Sequence, residues 1–293
     1  MCFFGTYREH GLKDMAVSKY FIWFIIFSVA GWIFECVYCT VRRHHWQNRG
    51  FLYGPLCPIY GVGLTSAMIA YNEIFDVPEG GAGYPVWLIF LVCAVASAVL
   101  EFVTSWVLEK CFHATWWDYS DIPLNFQGRI SLPTTCGFGI AGTVFVKLVF
   151  PLIGGAAVVG NSVAYEILSL ILAILLGMDL ALTIESLTRL LQRMEEAGER
   201  FDKRMEESVQ IIRQGPEAVG DAVKAQAKDA GETAVIAAML AADAAKEKLS
   251  GRDRYHLRSI RTYRPKVKAN DTADTAKRLR QFFEELQKRA GKH

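Results

Sequence analysis

Charge is scarce in the first 185 residues of this 293-residue chain, which hold 9 Lys and Arg against 13 Asp and Glu. A water-soluble domain of that length needs a densely charged surface, so that class is excluded for the front of the chain. The segments 76–84 and 154–161 carry no Lys or Arg at all. Also missing is any G-x-x-x-x-G-K-[ST], so an ATP-driven role requires a separate ATPase chain. G-x-S-x-G, H-E-x-x-H and paired C-x-x-C spacings do not occur either, and no metal or cofactor is implied. The 7 cysteines are scattered through apolar runs without the spacing of a disulfide scaffold.

Long apolar runs take the place of charge. Five segments, at about 20–41, 55–75, 85–108, 134–153 and 162–184, are long enough to cross roughly 30 Å of hydrocarbon at about 1.5 Å per residue. The first is too long for a signal-peptide core and has no small-x-small cleavage site. The second is the weakest, because Pro55, Pro58, Gly61 and Gly63 crowd its start. Breakers at that depth require burial in protein or a wet cavity. The expected fold class is all-α: a polytopic membrane helix bundle of about five spans with a helical C-terminal extension.

Short loops set the orientation. Arg42, Arg43 and Arg49 lie in 42–54, and Lys110 and Arg129 in 109–133. The basic residues of 186–293 fall on the same side. The bacterial inner membrane with a cytosolic C-terminus is the expected setting, although Arg8, Lys13 and Lys19 run against it. Met15 is a second candidate start, since 1–14 has no usable pattern. Four segments follow: 1–19, a membrane domain 20–185, a helical extension 186–250 and a basic tail 251–293.

Within the spans the buried charges form two layers. Glu35, Glu101 and Asp179 lie about 8–11 Å in from the cytosolic end by the helical rise. A carboxylate at bilayer depth costs several kcal/mol, roughly 2.5–3.5 on insertion scales, and normally marks a functional path. Lys147 and Glu166 occupy the outer layer on consecutive spans, where a structural ion pair is expected. Snorkelling toward the headgroups is the plainer alternative for both layers.

The first two spans resemble the next two in outline. Glu35 is followed by Arg49, Gly50, Pro55, Cys57 and Gly61, and Glu101 by Arg129, Pro133, Cys136, Gly137 and Gly139. Two such hairpins would be parallel repeats about an axis along the membrane normal. Coincidence is the rival account, because Gly and Pro are common in membrane helices. Repetition would bring Glu35, Glu101, Arg49 and Arg129 to one mouth. There the arginines would either neutralise the carboxylates or hold an anionic ligand bidentately.

The loop 113–133 is richer than a connector needs. Trp116 and Trp117 suit the headgroup zone. Asp118, Tyr119, Ser120, Asp121, Asn125 and Arg129 are the polar residues of a functional loop on a rigid scaffold. Together with Asn48 and Arg49 of the first loop, Trp117, Asp118, Tyr119, Asn125 and Arg129 complete the candidate substrate-binding set of Glu35, Glu101 and Asp179. No catalytic residue is assigned. Cys36 and Cys39 form a lone C-x-x-C that suits packing, and His44 and His45 diverge on a helix.

The strings NRGFLYGPLCPIYGVG and WWDYSDIPLNFQGRISLP, with GWIFE at 31–35, are similar to signature segments of the bacterial membrane proteins grouped as putative ABC-transporter type IV. The resemblance covers about residues 20–185. It implies a multi-pass inner-membrane protein, a permease-like or transporter-associated subunit. Two rivals remain: a membrane-embedded enzyme acting on a lipid headgroup, and a non-catalytic scaffold that recruits partners through its tail.

Beyond the spans, Leu187, Leu191, Met194, Gly198, Phe201, Met205, Ser208 and Ile212 mark a heptad seam, expected to serve self-association or a partner helix. An Ala-rich stretch runs from 217 to 249. The run RDRYHLRSIRTYRPKVK at 252–268 has seven basic residues and one acid. Tethering to the bilayer favours anionic lipid over nucleic acid as its partner, and a plain solvated tail is the alternative. A final helix at about 271–290 shows Leu279, Phe282, Phe283 and Leu286 on one face.

Overall fold

The computed structural model describes residues 17–43, 50–74, 84–157, 163–214, 241, 243–244, 247–263 and 273–291. Helix α1 (Val17–Arg43) is followed by α2 (Pro58–Ile69), which runs on through a π turn at Ala70–Ile74. Next come α3 (Val86–Phe112), strand β1 (Ala114–Thr115) and a small hairpin of β2 (Asn125–Phe126) and β3 (Ile130–Ser131). Helix α4 (Leu132–Val144) passes through a π turn at Phe145–Val149 into α5 (Phe150–Ala157). The long α6 (Val163–Gln214), short α7 (Gly251–Ser259), β4 (Thr262–Tyr263) and α8 (Ala273–Gly291) complete the described chain.

Among the described residues, four stretches are long and apolar enough to cross a membrane: Val17–Val41, Val86–Phe112, Leu132–Ile153 and Val163–Ala197. Their outer faces expose Val92, Val95 and Val99 of α3 and Ile171, Ile174 and Leu175 of α6. So large an apolar belt is tolerable only with lipid as solvent. The span expected at 55–75 differs in kind. Its helical part, 58–74, rises only about 25 Å. The preceding irregular segment runs inward, where the backbone N–H groups of Tyr53 and Gly54 meet Asp179 of α6. Pro55 and Pro58 keep that segment out of a helix, and its freed backbone finds partners in Asp179 of α6, the Ser28 carbonyl of α1 and the Tyr255 hydroxyl.

Glycines let the helices approach closely. A Cβ on Gly61 of α2 would lie 2.7 Å from the Phe24 ring and would also strike Ser28, both on α1. One on Gly139 of α4 would lie 2.8 Å from Phe90 and 3.0 Å from Ala94 of α3. Phe24 and Ser28 precede Glu35 by eleven and seven residues, and Phe90 and Ala94 precede Glu101 by the same steps. The two hairpins therefore repeat not only in outline but in the side chains that each glycine meets.

At the loop-bearing end the C-terminal part is not a free tail. Strand β4 pairs antiparallel with β1, Ala114 opposite Tyr263 and Thr115 opposite Thr262. A second core forms there from Leu187, Leu190 and Met194 of α6, Leu257 and Ile260, and Leu279, Phe282, Phe283 and Leu286 of α8. The apolar face expected on the last helix is thus buried as drawn. The first part of the heptad seam is covered by the chain's own C-terminal helices, so Leu187 and Met194 are not open to a second copy. Side chains of the later seam positions, Gly198 to Ile212, lie outside the described residues, as does most of the Ala-rich stretch. The basic run is half core: Asp253, His256, Leu257 and Ser259 are buried, whereas Arg252 and Arg261 are exposed.

Candidate polar site at the loop-bearing end of the bundle

The inner carboxylates converge in part. Tyr60, in the first turn of α2, donates its hydroxyl to Glu35 Oε1 at 2.6 Å. Tyr119, in the loop after β1, donates to Glu101 Oε1 at 3.1 Å. The charges of Glu35 and Glu101 act on one another, and Tyr60 and Tyr119 are likewise within electrostatic reach. Phe138 of α4 closes the group with its ring edge on Tyr60, centroids 6.0 Å apart. Glu101 is only 6% exposed, and its Oε2 has no hydrogen-bond partner among the described residues. A buried polar atom left open calls for an explanation in a ligand, a proton or water.

Arg129 lies elsewhere than expected. Its guanidinium donates to Glu109 Oε2 at 2.5 Å and to Ser105 Oγ at 3.2 Å, and sits 5.7 Å over the Phe102 ring. Ser105 and Glu109 lie one and two turns beyond Glu101 on α3. The hairpin β2–β3 sets Arg129 at that level, where Glu109 is the nearer anion. The Arg129 carbonyl accepts the Trp117 indole N–H at 3.0 Å. Arg129 therefore braces the loop against α3 and does not neutralise Glu101.

Asp179 also has separate work. Its Oδ1 accepts the Tyr53 N–H at 3.1 Å, and its Oδ2 accepts the Gly54 N–H at 2.9 Å. It fixes the inward-running segment to α6. Asp118 and Asn125 shape their own loop. Asp118 Oδ1 accepts from the Ser120 backbone at 2.9 Å and from its hydroxyl at 2.5 Å. Asn125 donates to the carbonyls of Ser120 and Ile122 and accepts from the Gly128 N–H. Gly128 has φ 67°, and a Cβ there would lie 2.5 Å from Asp118 Oδ1, so only glycine fits. Asn48 and Arg49 fall outside the described residues.

In the outer layer, Lys147 Nζ donates to the Tyr84 carbonyl at 3.0 Å, while Glu166 is exposed on the first turn of α6. The structure does not bring these two into an ion pair. Among the described residues no three His, Cys, Asp or Glu side chains converge as a metal site.

A third polar group ties the C-terminal part to the first loop. His256 Nε2 lies 2.7 Å from Ser186 Oγ and 2.8 Å from the Tyr53 hydroxyl, which also bonds Ser186. Tyr255 donates its hydroxyl to the carbonyls of Gly50 and Leu52. His256 is fully buried and its Nδ1 has no partner among the described residues. A nucleophilic Ser–His pair needs an orienting carboxylate and access for substrate, and this pair has neither. It is a latch. Desolvation lowers the His256 pKa to about 4, against a smaller opposing pull from Asp253, so the latch is built from neutral imidazole.

Sequence reasoning missed Tyr60, Glu109, Ser105, Tyr53, Ser186 and His256. Tyr60 carried a readable signal, a phenol inside the apolar run CPIYGVG next to the glycine that faces α1. His256 carried little, since seven basic neighbours disguised a buried helix.

No curated protein and no solved structure matches the chain significantly. The family model described as "Putative ABC-transporter type IV" matches residues 22–184, which hold both hairpins and every described member of the carboxylate–tyrosine cluster, and the chain belongs to that family.

Proposed function

We propose that this protein is a permease-like or transporter-associated subunit of the bacterial inner membrane. Its loop-bearing end faces the cytosol and its ligand site is the Glu35–Tyr60–Glu101–Tyr119 cluster. The observation that carries the reading is the Glu101 carboxylate, buried at bilayer depth with one oxygen unpartnered among the described residues. A position so costly is normally kept for a path or a binding site. Family membership supports a transport role. The missing phosphate-binding loop assigns energy supply to a separate ATPase chain.

Purification of the full chain in mild detergent tests this. A nucleotide-hydrolysing subunit is expected to come along with it. A preparation that holds only the chain and bound phospholipid, and that turns over that lipid's headgroup, would replace the reading with the membrane-enzyme one.

A further inference from the structure

We infer that the tip of the β2–β3 hairpin, from Pro123 to Phe126, inserts among the lipids of the leaflet on the loop-bearing side. The second loop is then an interfacial anchor and not a purely aqueous connector. The inference goes beyond the proposed transport role and depends neither on that role nor on the orientation of the chain.

Depth is set by two contacts. The Phe126 ring lies 5.9 Å from that of Phe102. Phe102 precedes Phe112, the end of α3, by ten residues, about 15 Å of helical rise. The loop therefore folds back along a membrane-spanning stretch instead of rising away from it. Its other edge gives the same level. Leu132, the first residue of the apolar stretch Leu132–Ile153, donates its N–H to the Leu124 carbonyl at 3.1 Å. Within one turn of Phe102, α3 exposes Val99, Val103 and Trp106. The tip is thus level with side chains whose solvent is lipid, and a bilayer that covers them reaches it too.

The chemistry of the tip suits that solvent. Leu124 is 73% exposed, Phe126 56% and the neighbouring Leu132 53%. Leu124 has φ 57°, a left-handed backbone that ordinarily goes to Gly or Asn. A leucine so exposed gains little packing within the chain and is costly in water, whereas acyl chains favour the same surface. The loop also satisfies much of its own backbone, the condition for irregular structure at membrane depth. The N–H groups of Tyr119, Ile122 and Arg129 donate to the carbonyls of Gly128, Tyr119 and Phe126. The Asn125 side chain takes up the Ser120 and Ile122 carbonyls and the Gly128 N–H. Asp121, exposed two residues before Pro123, keeps the insertion shallow, at the boundary between headgroups and acyl chains.

Photolabelling of the wild-type full chain tests the anchor without any variant. The chain is reconstituted in vesicles of phosphatidylcholine that carries a diazirine on one acyl chain, and the adducts are mapped by peptide fragmentation. Leu124 and Phe126 should be labelled together with Val99 and Val103 of α3. Arg252 and Arg261, exposed in the C-terminal part, should stay free of label. Loss of label from both Leu124 and Phe126 while α3 is labelled would overturn the proposal, as would label on the two arginines at the level of the tip. Hydroxyl-radical oxidation of the same vesicles separates the ways of failing: an unlabelled tip that is oxidised lies in water, and one that is neither labelled nor oxidised is covered by protein.

Discussion

Tyr60 and Phe138 occupy corresponding places in the two hairpins, each directly before the glycine that seats its helix, and the two rings meet at 6.0 Å. Equivalent residues touch one another only near a symmetry axis. A pseudo-twofold axis relating the two hairpins would run at this contact. The symmetry breaks at the hydroxyl. Tyr60 reaches its own hairpin's carboxylate directly, whereas Phe138 cannot, and Tyr119 from the connecting loop serves Glu101 in its place.

Close glycine contacts make the first prediction. Gly61→Ala should destabilise the protein by about 2 kcal/mol, the usual scale of overpacking, because its Cβ would press on Phe24 and Ser28. Gly139→Ala should behave alike. Gly137→Ala and Gly177→Ala, which meet nothing within 4 Å, should be neutral. Thermal denaturation in detergent compares the four.

Asp179→Asn should cost about 2 kcal/mol, since one amide N–H would face a backbone donor where a carboxylate oxygen now accepts. Its signature should be local. Limited proteolysis near Tyr53 and Gly54 should speed up before the helices melt. Unchanged cleavage there would show that Asp179 does not anchor the segment.

Arg129→Lys should lower folded yield rather than selectively remove function. Lysine keeps the charge but loses the fork that spans Glu109 and Ser105, a loss of about 2 kcal/mol. If yield and melting temperature stay at the wild-type level while function disappears, Arg129 belongs to the ligand after all.

The latch makes a pH prediction. The docked His256 has its pKa lowered to about 4, below the ordinary imidazole value of about 6.5. An undocked tail therefore binds a proton that the docked one refuses. The contribution of docking is complete above about pH 6.5 and drains away as pH falls toward about 4. Amide exchange in 251–263 should rise over that window in the wild type, and His256→Phe should flatten the response.

Topology is the fifth expectation. Reporter fusions after residue 185 and within 154–161 should report opposite sides, with the former cytosolic. Labelling of the C-terminal part from outside intact cells would reverse the orientation.

Much of this was legible from periodicity and charge. Four spans stand at nearly the expected positions, and Glu35 and Glu101 share one cluster, because apolar length and the cost of buried charge are local properties of the chain. Arg129 was misplaced for a different reason. Two acids on α3, Glu101 and Glu109, lie two turns apart, and only the three-dimensional course of the hairpin selects between them. The heptad at Leu187 and Met194 reads identically whether its cover is a second copy or the chain's own Leu257, Phe282 and Leu286. A two-residue strand such as β4 has no period to detect, and its partner lies 147 residues away.

That last pairing has a consequence for how the protein is made. Synthesis at about 5–20 residues per second puts roughly 7–30 s between the emergence of Thr115 and of Thr262. Throughout that interval every span can already be in the bilayer, while Leu187, Leu190 and Met194 still lack the cover of α7 and α8. A message broken between Ala197 and Ser250 would yield a chain with all four of these membrane segments and a sticky, unfinished face. Such a product is a natural target for membrane proteases. The pairing of β4 with β1 and the docking of α8 are therefore the late steps that cover this face.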